Sequence, residues 1–178
     1  MRRSNKEIKD ASVIIGMLNT CHVGRLGTVG KDGYPMVKPL NFAYAGGKIY
    51  FHTAKEGEKM EHIVRDSRVC FEADLPIAFV KGNANPCRSE YLYRSVIIKG
   101  KAHIVRDRDE QIFGLHCLMR KYQPEGGYGD FSEEKLNVTG VVRIDIQEMT
   151  GKEDLGKGRI REEAEKALAG SVLPVVIE

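Results

Sequence analysis

The chain has 178 residues, 42% apolar and 30% charged, which fits one globular domain of ordinary size. A chain of this length buries roughly 70% of the surface its unfolded form exposes, so it needs neither a disulfide nor a metal to fold. Lys and Arg number 28 against 25 for Asp and Glu, with both signs interspersed, which excludes an electrostatic case for nucleic acid or an anionic membrane as partner.

No apolar run approaches the roughly 18–20 residues of a membrane helix, and the start "MRRSNKEIKD" lacks the apolar core of a signal peptide, so a cytoplasmic location is expected. Cys21, Cys70, Cys87 and Cys117 are far apart, with no CxxC pair. They read as reduced, mostly buried thiols, and no metal site is expected.

In chain order, Ser4 followed three residues later by Glu7 forms a capping box, and Ile8, Ala11, Ile15 and Leu18 continue it as an amphipathic helix to about Asn19. The period then changes. Short β-type runs from Cys21 to Ala54, punctuated by Gly30, Asp32-Gly33 and Gly46-Gly47, predict a meander of three antiparallel strands. A short helix follows from Gly57 to about Arg65, with Met60, Ile63 and Val64 on one face. "RVCFEAD" and "YLYRSVIIKGKAHIV" read as strands, the second long enough to bend or bulge at Gly100.

Asp107 and Glu110 make a second capping box, and Ile112, Leu115, Met119 and Tyr122 share a face of the helix it opens. "QPEGGYGD" reads as an exposed loop, and "VVRIDIQEM" as a last strand with Val142, Ile144 and Ile146 inward. The division expected is a main domain over 1–150 and an extension over 151–178, with a short helix from Ile160 to Ala169 and an apolar end. Six or so antiparallel strands with singly interposed helices, and no βαβ alternation, predict a mainly β fold: a small barrel with flanking helices.

The stretch "IYFHTAKEGEKM" is the most informative chemically. Alternation sets Ile49, Phe51 and Thr53 on one side of a strand, Tyr50 and His52 on the other, and the strand runs into a glycine turn at a helix start. A helix N-terminus, the Thr53 hydroxyl and a cation from Lys59 or Lys55 can cradle a phosphate; the alternative is a solvated basic turn. His22 and Cys21, like His116 and Cys117, are adjacent pairs whose side chains diverge, and neither forms a chelating unit. His62 and His103 read as structural, without partners. Tyr91, Tyr93 and Arg94 read as interface or pocket packing ahead of base stacking.

The ordered blocks "GRLGTVGKDGYPMVKPLNFAY", "KIYFHTAKEGEKMEHI", "RVCFEAD" and "YRSVIIKGKAHIV" resemble the flavin-binding split-barrel proteins, the superfamily of the pyridoxamine phosphate oxidases. The His of "YFHTA", the Gly and Lys of "EGEKM" and the block "YRSVIIKG" are most similar to its nitroimidazole-resistance, or Nim-type, branch. The resemblance spans about residues 21 to 150. It implies a split β-barrel homodimer with FMN at the interface, FAD being the other flavin to consider. By motif position, Thr53 and Lys59 would bind the phosphate, and the backbone around Lys38, Leu40 and Asn41 would run past the flavin ring. Ser95 would approach the flavin deeper in the pocket.

His52 would line that pocket, where an imidazole can donate a proton to a reduced acceptor, or would hydrogen-bond to the backbone and only shape it. The resemblance implies a flavin-dependent reductase of small aromatic acceptors such as nitroimidazoles, with NAD(P)H as a donor that binds transiently, since no GxGxxG fingerprint is present. A flavin carrier or redox sensor without turnover, and a haem protein using His52 or His22 as axial ligand, are the rival readings. The phosphate turn departs from that of the oxidases, which place a Ser and an Arg before the Lys; here Gly57 and Glu58 stand there. The oxidases' C-terminal substrate residues have no equivalent after Gly151. Both departures argue against pyridoxamine phosphate oxidation.

Overall fold

The computed structural model of the chain describes residues 4–170 and 172–177. Ser4–Lys6 form a 3-10 turn, and Glu7–Ile8 a short strand, β1, paired with Lys152 and Gly151. Helix α1 (Ala11–Thr20) therefore starts later than the Ser4 capping box predicts. The main chain of Glu7 and Ile8 is engaged in the sheet, and Asp10 becomes the cap, its carboxylate accepting from the Ser12 N–H at 2.8 Å. Gly151 is required here because a Cβ would lie 2.8 Å from the Ile14 side chain.

Two hairpins follow where a meander was expected. Strands β2 (Gly24–Val29) and β3 (Pro35–Leu40) pair through a turn closed by the Gly30 N–H on the Tyr34 carbonyl, and Gly33 takes φ +83°. Strands β4 (Ala43–Ala45) and β5 (Lys48–Ala54) pair across Gly46-Gly47, both at positive φ, where only glycine is unstrained. The two hairpins stand at opposite ends of the strand order, because Phe42 turns inward between them. It is fully buried, edge-on to Phe71 with centroids 4.9 Å apart, and its N–H donates to the Tyr122 hydroxyl at 3.0 Å.

Helix α2 (Glu58–Arg65) buries Met60, His62 and Ile63. Val64, expected on that face, is exposed; the inward place goes to His62, whose Nδ1 lies 3.0 Å from the Thr28 hydroxyl. Three long strands complete the frame: β6 (Arg68–Val80), β7 (Glu90–Ile104) and β8 (Thr139–Asp154), the last running past both ends of the predicted "VVRIDIQEM". The sheet order is β3-β2-β6-β7-β8-β5-β4, with β1 added on β8. Helix α3 (Arg108–Tyr122) opens as predicted, with Asp107 accepting from the Glu110 N–H at 2.8 Å. Helix α4 (Glu133–Val138) has no counterpart in the expected loops. Helix α5 (Arg159–Gly170) matches expectation, and the apolar end forms β9 (Val175–Ile177), parallel to β6.

Among the described residues nine strands, β9 parallel to β6 and the pairs β1·β8, β2·β3, β2·β6, β4·β5 and β5·β8 antiparallel, are flanked by helices, which is the mainly β class expected, with more strands than six. No helix among them is long and apolar enough to cross a membrane. Two compact units are distinguishable. One takes residues up to 17, 74–96 and from 150 on, with Ile77, Val80, Leu92, Leu155 and Ala164 in its core. The other takes 18–73 and 97–149, with Leu26, Phe42, Phe51, Phe71, Ile98 and Ile144 buried.

Candidate functional site

The strand β5 divides the chemistry of the larger unit. Its alternation points Phe51 and Thr53 to one face, Tyr50 and His52 to the other.

On the first face, Lys59 in the opening turn of α2 holds its ammonium 5.2 Å from the centre of the Phe51 ring. Burial, and then the positive charge of Lys38, pull the Lys59 ammonium below the ordinary lysine value. The amine of Lys38, on β3, donates to the Glu58 carboxylate at 2.9 Å, and this bond holds Glu58 below the usual carboxylate value. Gly57 precedes the helix at φ +110° and offers no side-chain cap. Lys38 and Lys59 thus flank a helix N-terminus that has no side-chain cap, which is the chemistry of an anion site. The groove beside it encloses about 910 Å³ and is lined by Tyr34, Val37, Lys38, Glu58, Glu61 and His62, among others. Phosphate-bearing ligands fit this donor set.

Strand β3 ends the strand order and contains two prolines. Since Pro35 and Pro39 have no N–H, the mutually hydrogen-bonded pairs of its ladder are Thr28–Met36, Leu26–Lys38 and Gly24–Leu40. The main-chain groups facing away from the sheet are then the Val37 N–H and the carbonyls of Pro35, Val37 and Pro39.

On the second face lies an apolar cavity of about 270 Å³. His52 and Asn41 stand at it with Leu115, Met119 and Tyr122 of α3 and Phe131, Lys135 and Leu136 of the following segment. Its walls are tied by Gln111, buried in α3, whose amide donates to the carbonyls of Leu136 and Thr139, each at 2.8 Å. The Tyr122 hydroxyl, which accepts from Phe42, also bonds the His22 carbonyl, so it faces the cavity with its ring and the main chain with its oxygen. His116 packs on Phe131 with ring centres 5.0 Å apart.

The seven residues singled out in the sequence therefore divide. Lys38, Thr53 and Lys59 belong to the cationic face, His52 and Asn41 to the apolar cavity, and Leu40 is half-buried on β3. Ser95 is half-buried on β7 in the other unit and lines neither cavity. Sequence reasoning missed α4 and with it Phe131, Lys135 and Leu136; Ser132 followed by Glu133 and Glu134 is the N-cap signal that marks it, and its hydroxyl accepts from the Lys135 N–H. His62 and His103, read as lacking partners, have them: Thr28, and Asp145 at 3.3 Å. All four cysteines are free; Cys21 and Cys117 are buried, whereas Cys70 and Cys87 are exposed, one on the outward face of β6 and the other in a 3-10 turn.

A family model described as pyridoxamine 5'-phosphate oxidase matches residues 10–153. None of the curated proteins matches. Among solved structures, a candidate 5-nitroimidazole antibiotic resistance protein from Bacteroides thetaiotaomicron is 26% identical over 82% of this chain and 85% of its own, with a TM-score of 0.74. The flavocytochrome Anf3 from Azotobacter vinelandii is 18% identical over 93% of this chain and 77% of its own, with a TM-score of 0.77. A FAD-binding protein from Mesorhizobium loti is 24% identical over 82% and 95%, with a TM-score of 0.58. The last two share the fold.

Proposed function

The chain is a member of the pyridoxamine 5'-phosphate oxidase family, and on that footing we propose that it is a flavin-binding oxidoreductase that passes electrons to small aromatic acceptors such as nitroimidazoles, with FMN as the bound carrier. The observation that carries this is the pair of lysines, Lys38 and Lys59, at the uncapped start of α2. Lys59, the Thr53 hydroxyl and the first N–H groups of α2 hold the phosphate, and β3 from Lys38 through Leu40 to Asn41 flanks the ring. The acceptor class is supported by the likeness to the candidate nitroimidazole-resistance protein.

When bound, the flavin supplies the hydride and electron chemistry. The chain's own work is to hold and orient. Leu115, Met119, Phe131 and Leu136 exclude water from the acceptor, and His52 holds a proton at its imidazole for transfer to the reduced acceptor. NAD(P)H is the proposed donor.

Since His52 and Thr53 face opposite ways, we assign the complete site to a homodimer, one copy giving the phosphate end and its partner the cavity. Tyr34 at 76% and Val37 at 63% exposure beside the groove, and Val138 at 62% on α4, are the apolar surface such pairing would cover. Four free thiols fit a reducing compartment and support a cytoplasmic location.

The test is the absorption spectrum of the purified protein, with mass spectrometry of whatever denaturation releases. Stoichiometric flavin is expected, and reduction by NADH or NADPH in stopped flow faster than that of free FMN. Protein that stays colourless after incubation with FMN overturns the reading. A Soret band transfers the protein to haem chemistry, and flavin reduced no faster than free FMN makes it a carrier. A monomer by light scattering removes the shared site.

A further inference from the structure

The cation pair at the start of α2 is already engaged by the chain itself. Glu58 is the first residue of the helix, where a carboxylate is favoured by the open N–H groups, and its oxygen takes the Lys38 ammonium at 2.9 Å. Both side chains are more than a third exposed, 43% for Lys38 and 60% for Glu58, so the pair opens without breaking any packing. Glu58 thus neutralises Lys38 at the place where an incoming anion would meet it, on a groove wall that also carries Lys31, Asp32 and Glu61.

We propose that Glu58 is a tethered competitor for the phosphate of the ligand: it occupies Lys38 when no phosphate is present, must swing out for one to bind, and so keeps the flavin exchangeable. This rests on the flavin reading above for the identity of the ligand, though not for the behaviour of the anion site. Glu61 lies on the same turn and lines the same groove, yet Lys38 bonds Glu58 and not Glu61. The competitor is therefore Glu58, the one carboxylate bonded to Lys38, while Asp32 and Glu61 stand on the groove wall without holding it.

The experiment titrates flavin-free protein with FMN and with riboflavin, which lacks the phosphate, following flavin fluorescence for the wild type, Glu58→Gln and Glu61→Gln. Glu58→Gln should bind FMN about five- to tenfold more tightly, the scale of one exposed ion pair together with relief of one repulsion, and riboflavin as before. Glu61→Gln should change neither. In parallel, thermal unfolding with inorganic phosphate reads the anion site without flavin, and Glu58→Gln should gain more from phosphate than the wild type does. Equal gains for FMN and riboflavin, the same gain in Glu61→Gln, or no added response to phosphate overturns the proposal. If no variant binds either flavin but the phosphate response of Glu58→Gln exceeds that of the wild type, the competitor stands and the flavin reading falls. If the wild type binds FMN and Glu58→Gln binds it no better, the flavin reading stands and the competitor falls.

Discussion

His52 and Thr53, consecutive in the chain, face opposite sides of β5: Thr53 shares the face over which the Lys59 ammonium sits, and His52 stands at the apolar cavity against α3. On the proposed reading, holding the carrier and handling the acceptor fall to separate side chains, so a substitution should touch one without the other.

His52→Asn should leave the Kd for FMN within about twofold, while kcat/KM for a nitroaromatic acceptor falls about 100-fold, the usual worth of a positioned proton donor. If FMN binding weakens as much as turnover, the imidazole serves the cofactor and the division of labour is wrong.

Gln111→Leu keeps the volume and removes both amide bonds, leaving the carbonyls of Leu136 and Thr139 without their donor. The loss should be about 2–3 kcal/mol in urea unfolding, the cost of stranding buried acceptors. Since those bonds tie α4 to α3, ligand binding in the cavity should weaken more than binding of FMN. A variant as stable as the wild type would mean water replaces the amide.

Gly100→Ala places a methyl 2.5 Å from the Asp145 carbonyl oxygen and 2.8 Å from the Ile144 side chain. Backbone cannot yield as a flexible side chain can, so about 2–3 kcal/mol should be lost, an overpacking cost at its ordinary size. The midpoint of denaturant unfolding checks this, and a shift within error would mean that β7 and β8 slide apart easily at this point.

The Lys121 amine donates to the Leu18 carbonyl and lies 3.6 Å from the centre of the Phe42 ring, and burial lowers it from 10.5 to about 8. In the unfolded chain it returns to the ordinary value. Between pH 8 and 10.5 the unfolded state therefore holds more protons than the folded one, and stability contributed by this residue rises with pH across that window. Tyr50 acts oppositely above pH 10, because burial and then the Glu110 charge raise its phenol to about 12. Subtracting the unfolding free energies of Lys121→Met from those of the wild type at pH 7.5 and 9.5 isolates the lysine. A difference that does not grow with pH would show the amine to be solvated.

Much of this architecture was legible because local chemistry and tertiary structure agree. Asp107 caps α3 as its spacing to Glu110 indicates, and the long β-branched runs of β7 and β8 are strands. Ser4 and Glu7 carry an equally good capping pattern, but pairing with residues 151–152 decides their conformation, and no local window contains that partner. The same holds for β4 and β5, whose hairpin is written in Gly46-Gly47 while its place beside β8 is not. At the site, Thr53 and Lys59 were readable from a strand entering a helix. Lys135 and Phe131 were not, because α4 is only six residues long and is held to α3 by Gln111 and Arg108, partners that no local window contains.

The pairing of Ile8 with Gly151 has a bearing on synthesis. Strand β1 is synthesised well before its template in β8, and so is β5, whose Lys48 waits for Asp145. The hairpins β2-β3 and β4-β5 can close early, but the edges of β1 and β5 stay unsatisfied until β8 has emerged, and the yield of the protein in the cell depends on what shields them meanwhile.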